Sequence, residues 1–342
     1  MSETIEGIEE LNLTRKDFVP GNEVRWCPGC GDYAILAQMQ KTLPVMGVKK
    51  EDYAFISGIG CSSRFPYYMD TYGFHSIHGR APAIASGVKL ANPDLTVWVI
   101  TGDGDGFSIG GNHMIHVLRR NIDMNIMLFN NRIYGLTKGQ YSPTSFLGKK
   151  TKSSPFGSID RPFNPSAIAL GANATFICRT LDVDAKGMQE SIKRAQRHKG
   201  ASFIEVYQNC VIFNDGEFED VENKATRPDN ALFVVHGEPM VFGKDRDKGI
   251  IMENHHPKVV QLGDEYKEAD LLVHDETNPI ITNLLLEMTF DTNNPTPFGV
   301  LRAVEDVTYD EMLIEQIEQV TEIKGVGTLH DLFFSGDVWE VK

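Results

Sequence analysis

Apolar residues recur at helical spacing through DYAILAQMQKTLPVMG, starting at residue 32 and stopping at Gly47. The pattern predicts a helix entered directly from Cys30. DYAFISGIGCSS then reads as a short buried strand running into a glycine turn with Cys61 at its exit, and APAIASGVKLANP as a small-residue helix that stops at Pro93. Residues 96–101, TVWVIT, form a β-branched and aromatic run of the kind found in fully buried strands, and they pass straight into GDGDGFSIGG. A helix, GGNHMIHVLRRN, follows, and residues 124–130, MNIMLFN, make a second buried strand that ends in the turn NNRIYG. A right-handed βαβ crossover places both strand exits on the same sheet edge.

After a polar, basic loop over residues 137–165 the alternation resumes. A helix near 166–171, strand ATFICRT, helix DVDAKGMQESIKRAQRHKG and strand SFIEVY follow in order, with Cys210 just past the last strand. Repeated βα units predict an α/β fold with a doubly wound, mostly parallel sheet, whose ligands bind outside the carboxyl ends of the strands. Cys61, Asp103, Asn131 and Cys210 all fall at such ends. Beyond residue 211 the pattern weakens into charged loops, apart from helices at TNLLLEMTF and TYDEMLIEQIEQVTEIKG. The expected organisation is an N-terminal arm over 1–20, a main domain over 21–210 and a C-terminal extension over 211–342.

Composition narrows the setting. The chain has 342 residues, 41% hydrophobic and 23% charged, and no apolar run approaches the roughly 20 residues that cross a bilayer. A formal net charge of −14 opposes general attraction to nucleic acid or anionic membranes. The first twenty residues are acidic and lack the apolar core of a secretory signal, so the cytoplasm is the expected compartment. There, five cysteines point to metal or redox chemistry rather than disulfides.

Cys27 and Cys30 stand as WCPGCG on a turn, Cys61 follows after 30 intervening residues, and Cys210 after a further 148. A pair plus two distant singles suits a four-iron cluster, because each iron needs one thiolate and separate loops can supply them. Structural zinc more often uses two knuckle pairs, and the second pair is missing. A thiol–disulfide centre also carries Trp-Cys-x-x-Cys, although there the motif follows a strand, whereas Cys27 follows a polar arm. On spacing alone all three readings stay open. Cys178, inside a strand, reads as a buried core thiol.

The turn Gly102-Asp103-Gly104-Asp105-Gly106 lies between strand and helix. Its glycines let the backbone approach a phosphate, the helix entry favours anions, and Asp103 offers a hard-cation ligand. A diphosphate with Mg²⁺ meets all three conditions. Asn131, 28 residues on, leaves the next parallel strand, so its amide and a carbonyl at Ile133 can share the same ion. A dinucleotide fingerprint does not fit GDGDGF.

A GDG turn followed by NN resembles the thiamine diphosphate motif of thiamine-dependent enzymes. Together with WCPGCG, GIGCSSR, GFHSIHGRAP, NNRIYGLTKGQ and QNCVIFND, it makes the chain, over roughly residues 20 to 275, resemble the β subunit of 2-oxoacid:ferredoxin oxidoreductases. GFHSIHGR and ALFVVHGEPMVFG are most similar to the 2-oxoglutarate members. The resemblance implies one [4Fe-4S] cluster on Cys27, Cys30, Cys61 and Cys210, and Mg²⁺ on Asp103, Asn131 and the Ile133 carbonyl. It also implies thiamine diphosphate lined by Asp32, Cys61, Gly102, Asp103, Gly104, Asp105, Tyr134, Gly135 and Leu136. The partners it implies are an α subunit in an αβ or (αβ)2 assembly, ferredoxin, a small 2-oxoacid and coenzyme A, with no nucleic acid or membrane. The activating glutamate belongs to the α subunit in that family, so none is sought in this chain. The implied reaction is oxidative decarboxylation to an acyl-CoA, reversible in principle.

His75 and His78 are candidate contacts for substrate or diphosphate under the same resemblance. His113 and His116 fall on one face of the helix after GDG and read as packing or solvent-contacting residues, and His255 and His256 as surface. Lys149, Lys150 and Lys152 form a basic run that suits a solvated face, the phosphates of coenzyme A, or an acidic ferredoxin.

Overall fold

The computed structural model describes residues 12–341, so the first eleven residues of the N-terminal arm and Lys342 lie outside the described residues. Helix α1 (Asp32–Thr42) starts where the periodicity places it but stops short of Gly47, because Pro44 has no N–H for the helical ladder, and a single tighter turn (Leu43–Val45) completes the segment. Strands β1 (Tyr53–Ser57) and β2 (Tyr72–His75) come next, then α2 (Ala81–Ala91) and β3 (Thr96–Gly102). Helix α3 (Gly111–Arg119), β4 (Met124–Asn130), α4 (Pro165–Gly171), β5 (Phe176–Leu181), α5 (Ala185–Arg197) and β6 (Ala201–Tyr207) complete the βα series. Asp184 caps α5 by accepting from the Gly187 N–H at 3.1 Å.

An eight-stranded sheet runs in the order β2-β1-β3-β4-β6-β5, followed by two strands from later in the chain, β11 (Thr296–Ala303) and β7 (Ala231–Phe233). The first six strands are mutually parallel, as the alternation predicts. Alternate residues of β4 feed two cores: Ile126 and Leu128 face the side covered by α2, α3 and α4, while Met127 and Phe129 face the side covered by α1 and α5. On the second side Trp98 stacks on Phe55 at 6.3 Å between ring centres, both fully buried. Burial of such rings contributes about 2–3 kcal/mol each. Two apolar faces on one central sheet make the fold doubly wound.

The segment after 211 is more involved with this sheet than its weak pattern suggests. Short helices α6 (Glu219–Glu222) and α7 (Arg227–Asn230) lead into β7 (Ala231–Phe233), and β11 (Thr296–Ala303) inserts between β7 and β5, antiparallel to β5. Between them β8 (Val241–Phe242), β9 (Lys248–Glu253) and β10 (His256–Gln261) form a separate antiparallel sheet, and α8 (Pro279–Met288) packs Leu284 and Leu285 into the first core. Residues 231–303 therefore share the main core. What projects is the end: α9 (Tyr309–Lys324) buries only Asp310, and α10 (Leu329–Phe333) buries nothing. The described part of the N-terminal arm is pinned by Phe18, fully buried against Tyr53. No helix among the described residues is long and apolar enough to cross a membrane.

Candidate active site

Because β1, β3, β4 and β6 are parallel, their carboxyl ends deliver Cys61, Asp103, Asn131 and Cys210 to one edge. The WCPGCG turn is brought to the same place by two contacts: the Gly31 N–H donates to the Asn209 carbonyl at 3.2 Å, and the Trp26 indole donates to the Cys61 carbonyl at 2.7 Å. Gly29, at φ +83°, takes the left-handed conformation that lets the turn close, with the Cys30 N–H reaching the Cys27 carbonyl at 3.1 Å. Cys27, Cys30, Cys61 and Cys210 all line one cavity of about 250 Å³, together with Asn131, Gly135 and Leu136. The Gly135 backbone passes between two of the thiols. A Cβ on that residue would lie 3.5 Å from the Cys210 sulfur and 3.6 Å from the Cys61 sulfur.

Burial pushes the Cys30, Cys61 and Cys210 thiols upward, Cys61 to about 12. Deeper still, Asp32 is 1% exposed and neither carboxylate oxygen has a hydrogen-bond partner among the described residues. Burial first, and the neighbouring Asp182 second, raise its carboxyl to about 7, against a smaller opposing effect of the Cys30 thiol. Four thiols round one cavity suit a four-iron cluster with one thiolate per iron, and Arg25, Arg64 and Lys138 line the same cavity. Among the described residues no three His, Cys, Asp or Glu side chains are placed to hold a single metal ion. Cys178 lies apart, fully buried in β5, as expected of a core thiol.

Asp103 is 2% exposed, and burial raises its carboxyl, partly offset by hydrogen bonds from Ser142 and Thr144. The Thr144 hydroxyl lies 2.6 Å from Asp103 Oδ2 and 3.0 Å from Asn130 Oδ1. Asn130 in turn donates to Glu205 at 2.8 Å, and Glu205 accepts from Arg179 at 2.9 Å and from Ser166 at 2.6 Å. A buried polar relay thus runs across β5, β6 and β4 to the turn. Sequence reasoning had no signal for Thr144, Ser142 or Glu205, since hydroxyls in a polar loop and one acid inside a strand show no period. Asn131 donates to Gln208 at 2.9 Å, while its Oδ1 accepts from the Ile133 N–H at 3.2 Å. Asp103, the Asn131 amide oxygen and the Ile133 carbonyl are hard oxygen donors of the type Mg²⁺ takes, and a buried carboxyl whose burial is only partly offset by hydrogen bonds suits a cation beside it.

Gly104 is dictated by Tyr134, whose ring would meet a Cβ there at 2.1 Å and whose hydroxyl donates to the Gly104 carbonyl at 3.1 Å. Residues Asp105–Ile109 form one π-helical turn, a local irregularity common at functional sites. Asp105 is occupied differently from Asp103: Oδ1 accepts from Ile59 and Gly79 N–H groups at 3.0 and 2.7 Å and meets His78 Nδ1 at 2.6 Å, and Oδ2 accepts from Thr101 at 2.7 Å. It ties the cofactor turn to the loops carrying GIGC and GFHSIHGR. His78 is thereby its partner, and His75 sits against the Ser63 carbonyl at 2.9 Å and the Tyr67 ring. A second cavity of about 590 Å³ adjoins the turn, lined by Phe107, Ser108, Tyr134, Ser142 and Arg161. Consecutive residues Tyr134 and Gly135 line the two cavities, so the cofactor turn and the cysteine cavity share a wall.

Residues 58–206 match the thiamine pyrophosphate enzyme family, C-terminal TPP binding domain. The chain is 50% identical to 2-oxoglutarate oxidoreductase subunit KorB of Mycobacterium tuberculosis over 330 residues, 95% of this chain and 88% of that protein. It is 44% identical to 2-oxoglutarate synthase subunit KorB of Methanocaldococcus jannaschii over 59% of this chain and 74% of that one. Among solved structures, 2-oxoglutarate:ferredoxin oxidoreductase from Magnetococcus marinus, with 2-oxoglutarate, coenzyme A and succinyl-CoA bound, matches with a TM-score of 0.76 at 32% identity, over 97% of this chain and 99% of the other. The chain belongs to the β-subunit family of the 2-oxoacid:ferredoxin oxidoreductases and is most similar to its 2-oxoglutarate members.

Proposed function

We propose that this chain, paired with an α subunit, oxidises 2-oxoglutarate and coenzyme A to succinyl-CoA and CO₂, passing two electrons one at a time through a [4Fe-4S] cluster to ferredoxin. The observation that carries this reading is the shared wall between the four-cysteine cavity and the GDG turn. Bound thiamine diphosphate supplies a nucleophilic carbon for the 2-keto group, and the cluster supplies one-electron steps. The chain's own residues would position and neutralise: Asp103, Asn131 and the Ile133 carbonyl would hold Mg²⁺, Arg161 on the adjoining cavity would add a cation, and Gly104 and Tyr134 would set how closely the backbone approaches the diphosphate. Gly135 and Leu136 fill the wall between the two groups. 2-Oxoglutarate brings a second carboxylate, and Arg25, Arg64 and Lys138 place cations on the cysteine cavity. Five cysteines with no disulfide suit the reducing cytoplasm, where we place the enzyme. The reaction runs in reverse, fixing CO₂, when ferredoxin is sufficiently reduced.

The test is to co-express the chain with its α subunit and follow ferredoxin reduction with 2-oxoglutarate or pyruvate, with and without coenzyme A. Reduction that needs coenzyme A and prefers 2-oxoglutarate is expected. Preference for pyruvate overturns the substrate, and oxoacid decarboxylation without electron transfer overturns the cluster's role.

A further inference from the structure

Arg132 stands between the candidate magnesium donors Asn131 and Ile133, and its backbone is left-handed at φ +55°. A residue with a Cβ seldom takes that conformation, and where it does the surroundings hold it there. Among the described non-glycine residues with left-handed backbone only Asn121 and Arg132 are buried, and asparagine is among the side chains that tolerate it. The turn has a use. It brings the Ile133 N–H to 3.2 Å from Asn131 Oδ1, which fixes the amide and leaves its oxygen a second lone pair.

The Arg132 side chain is the anchor of this turn. Its guanidinium carbon lies 4.2 Å from the centre of the Phe146 ring, 4.6 Å from that of Phe218 and 5.3 Å from that of Tyr207. Tyr207 and Phe218 stack on each other at 4.3 Å and are buried, so the rings are themselves fixed. A cation within about 6 Å of an aromatic face is attracted to it, and a planar guanidinium stacks there as an ammonium does not. The ion pair is the smaller contribution: Arg132 meets Glu217 at 3.4 Å, Glu217 is shared with Lys149 at 2.8 Å, and Arg132 Nε has no hydrogen-bond partner among the described residues. Two further bonds pin the peptides on either side. The Ser145 hydroxyl donates to the Arg132 carbonyl at 2.5 Å, and the Asn214 amide donates to the Asn131 carbonyl at 2.8 Å.

We propose that Arg132 is a positioning residue for Mg²⁺ and thiamine diphosphate: its buried side chain holds the left-handed peptide that presents Asn131 Oδ1 and the Ile133 carbonyl to the ion. The inference rests on the thiamine-dependent reading above. The guanidinium is engaged by the aromatic cluster and Glu217, so its effect on the site runs through the backbone. Without that anchor a residue bearing a Cβ relaxes toward an ordinary conformation, and the two oxygens are no longer held for one ion.

The test compares Arg132→Ala with Arg132→Gly in the αβ enzyme, by calorimetric titration of Mg²⁺ into cofactor-depleted protein with thiamine diphosphate present. Alanine removes the anchor and leaves a Cβ on the left-handed residue, whereas glycine removes the anchor and the strain together. The dissociation constant for Mg²⁺ should rise about tenfold in Arg132→Ala, the scale of strain at one left-handed residue. In Arg132→Gly it should rise only about threefold, the scale of the added chain entropy. An alanine variant that fails to fold where the glycine variant folds supports the proposal in the same sense. A wild-type constant in Arg132→Ala overturns it, as does a loss in Arg132→Gly equal to that in Arg132→Ala, which leaves Arg132 a packing role alone. If the wild-type enzyme binds no thiamine diphosphate with Mg²⁺, the parent reading falls instead. Urea unfolding of the full chain then still tests the anchored strain: Arg132→Gly should unfold at a higher urea concentration than Arg132→Ala, and the reverse order overturns it.

Discussion

Asp32→Asn isolates the electrostatic cost built into the cysteine cavity. The Asp32 carboxyl titrates near 3.8 when unfolded and is raised to about 7 by burial and by Asp182. Below pH 3.8 it is protonated in both states and stability does not depend on it. Between about 4 and 7 the unfolded chain releases this proton while the folded chain keeps it, so stability falls as pH rises, and above 7 the slope levels. A shift of roughly three pH units corresponds to at most about 4 kcal/mol. Asparagine has nearly the same shape and does not ionise, and Asp32 has no hydrogen bond to lose among the described residues. Any fixed cost of the amide is constant with pH, so the difference between the two slopes carries the information. Urea unfolding of the chelated, reduced full-length chain from pH 4 to pH 8 measures it. The wild type should lose up to about 4 kcal/mol more than the variant over that window. Parallel profiles would refute the reasoning by showing that Asp32 is already ionised and compensated without an occupant.

Three further outcomes follow from the same geometry. Gly104→Ala places a methyl 2.1 Å from the Tyr134 ring and should weaken thiamine diphosphate binding by calorimetry, with about 1–3 kcal/mol of strain, while leaving iron content unchanged. Glu205→Ala leaves the fully buried Arg179 uncompensated and should lower unfolding free energy by about 3–5 kcal/mol in urea; a loss under 1 kcal/mol would show the relay to be slack. Lys138→Ala should raise the KM for 2-oxoglutarate about tenfold while affecting pyruvate far less; equal effects on both acids would remove its role at the distal carboxylate.

The parallel strands were legible because each central one is a continuous apolar run. β2 was not, since YGFH is largely exposed at the sheet edge and carries no alternation. β11 was hidden by Pro297, by Gly299 at φ +112° and by a bulge between Val300 and Arg302, which break the period of an otherwise buried strand. α9 was legible from its apolar spacing and begins on the Thr308/Glu311 capping box, although almost nothing packs on it. At the site, the cysteines and Asp103 could be named because their spacing is itself a motif. The tether at Asp105 could not, because its partners Ile59 and Gly79 lie 46 and 26 positions away and contribute only backbone N–H groups. The basic run was visible as three lysines, but only the fold separates Lys149, turned inward on Glu217, from Lys150 and Lys152, which line a hollow with Lys138.

The most direct test of the central claim is the iron and acid-labile sulfide content of the anaerobically purified chain, measured beside Cys210→Ser. The account predicts about four irons and four sulfides per wild-type chain, with a visible absorption that bleaches when 2-oxoglutarate is added in the presence of the α subunit, and loss of that signal in the variant. Stoichiometric zinc, or a wild type and variant with the same iron content, would contradict it.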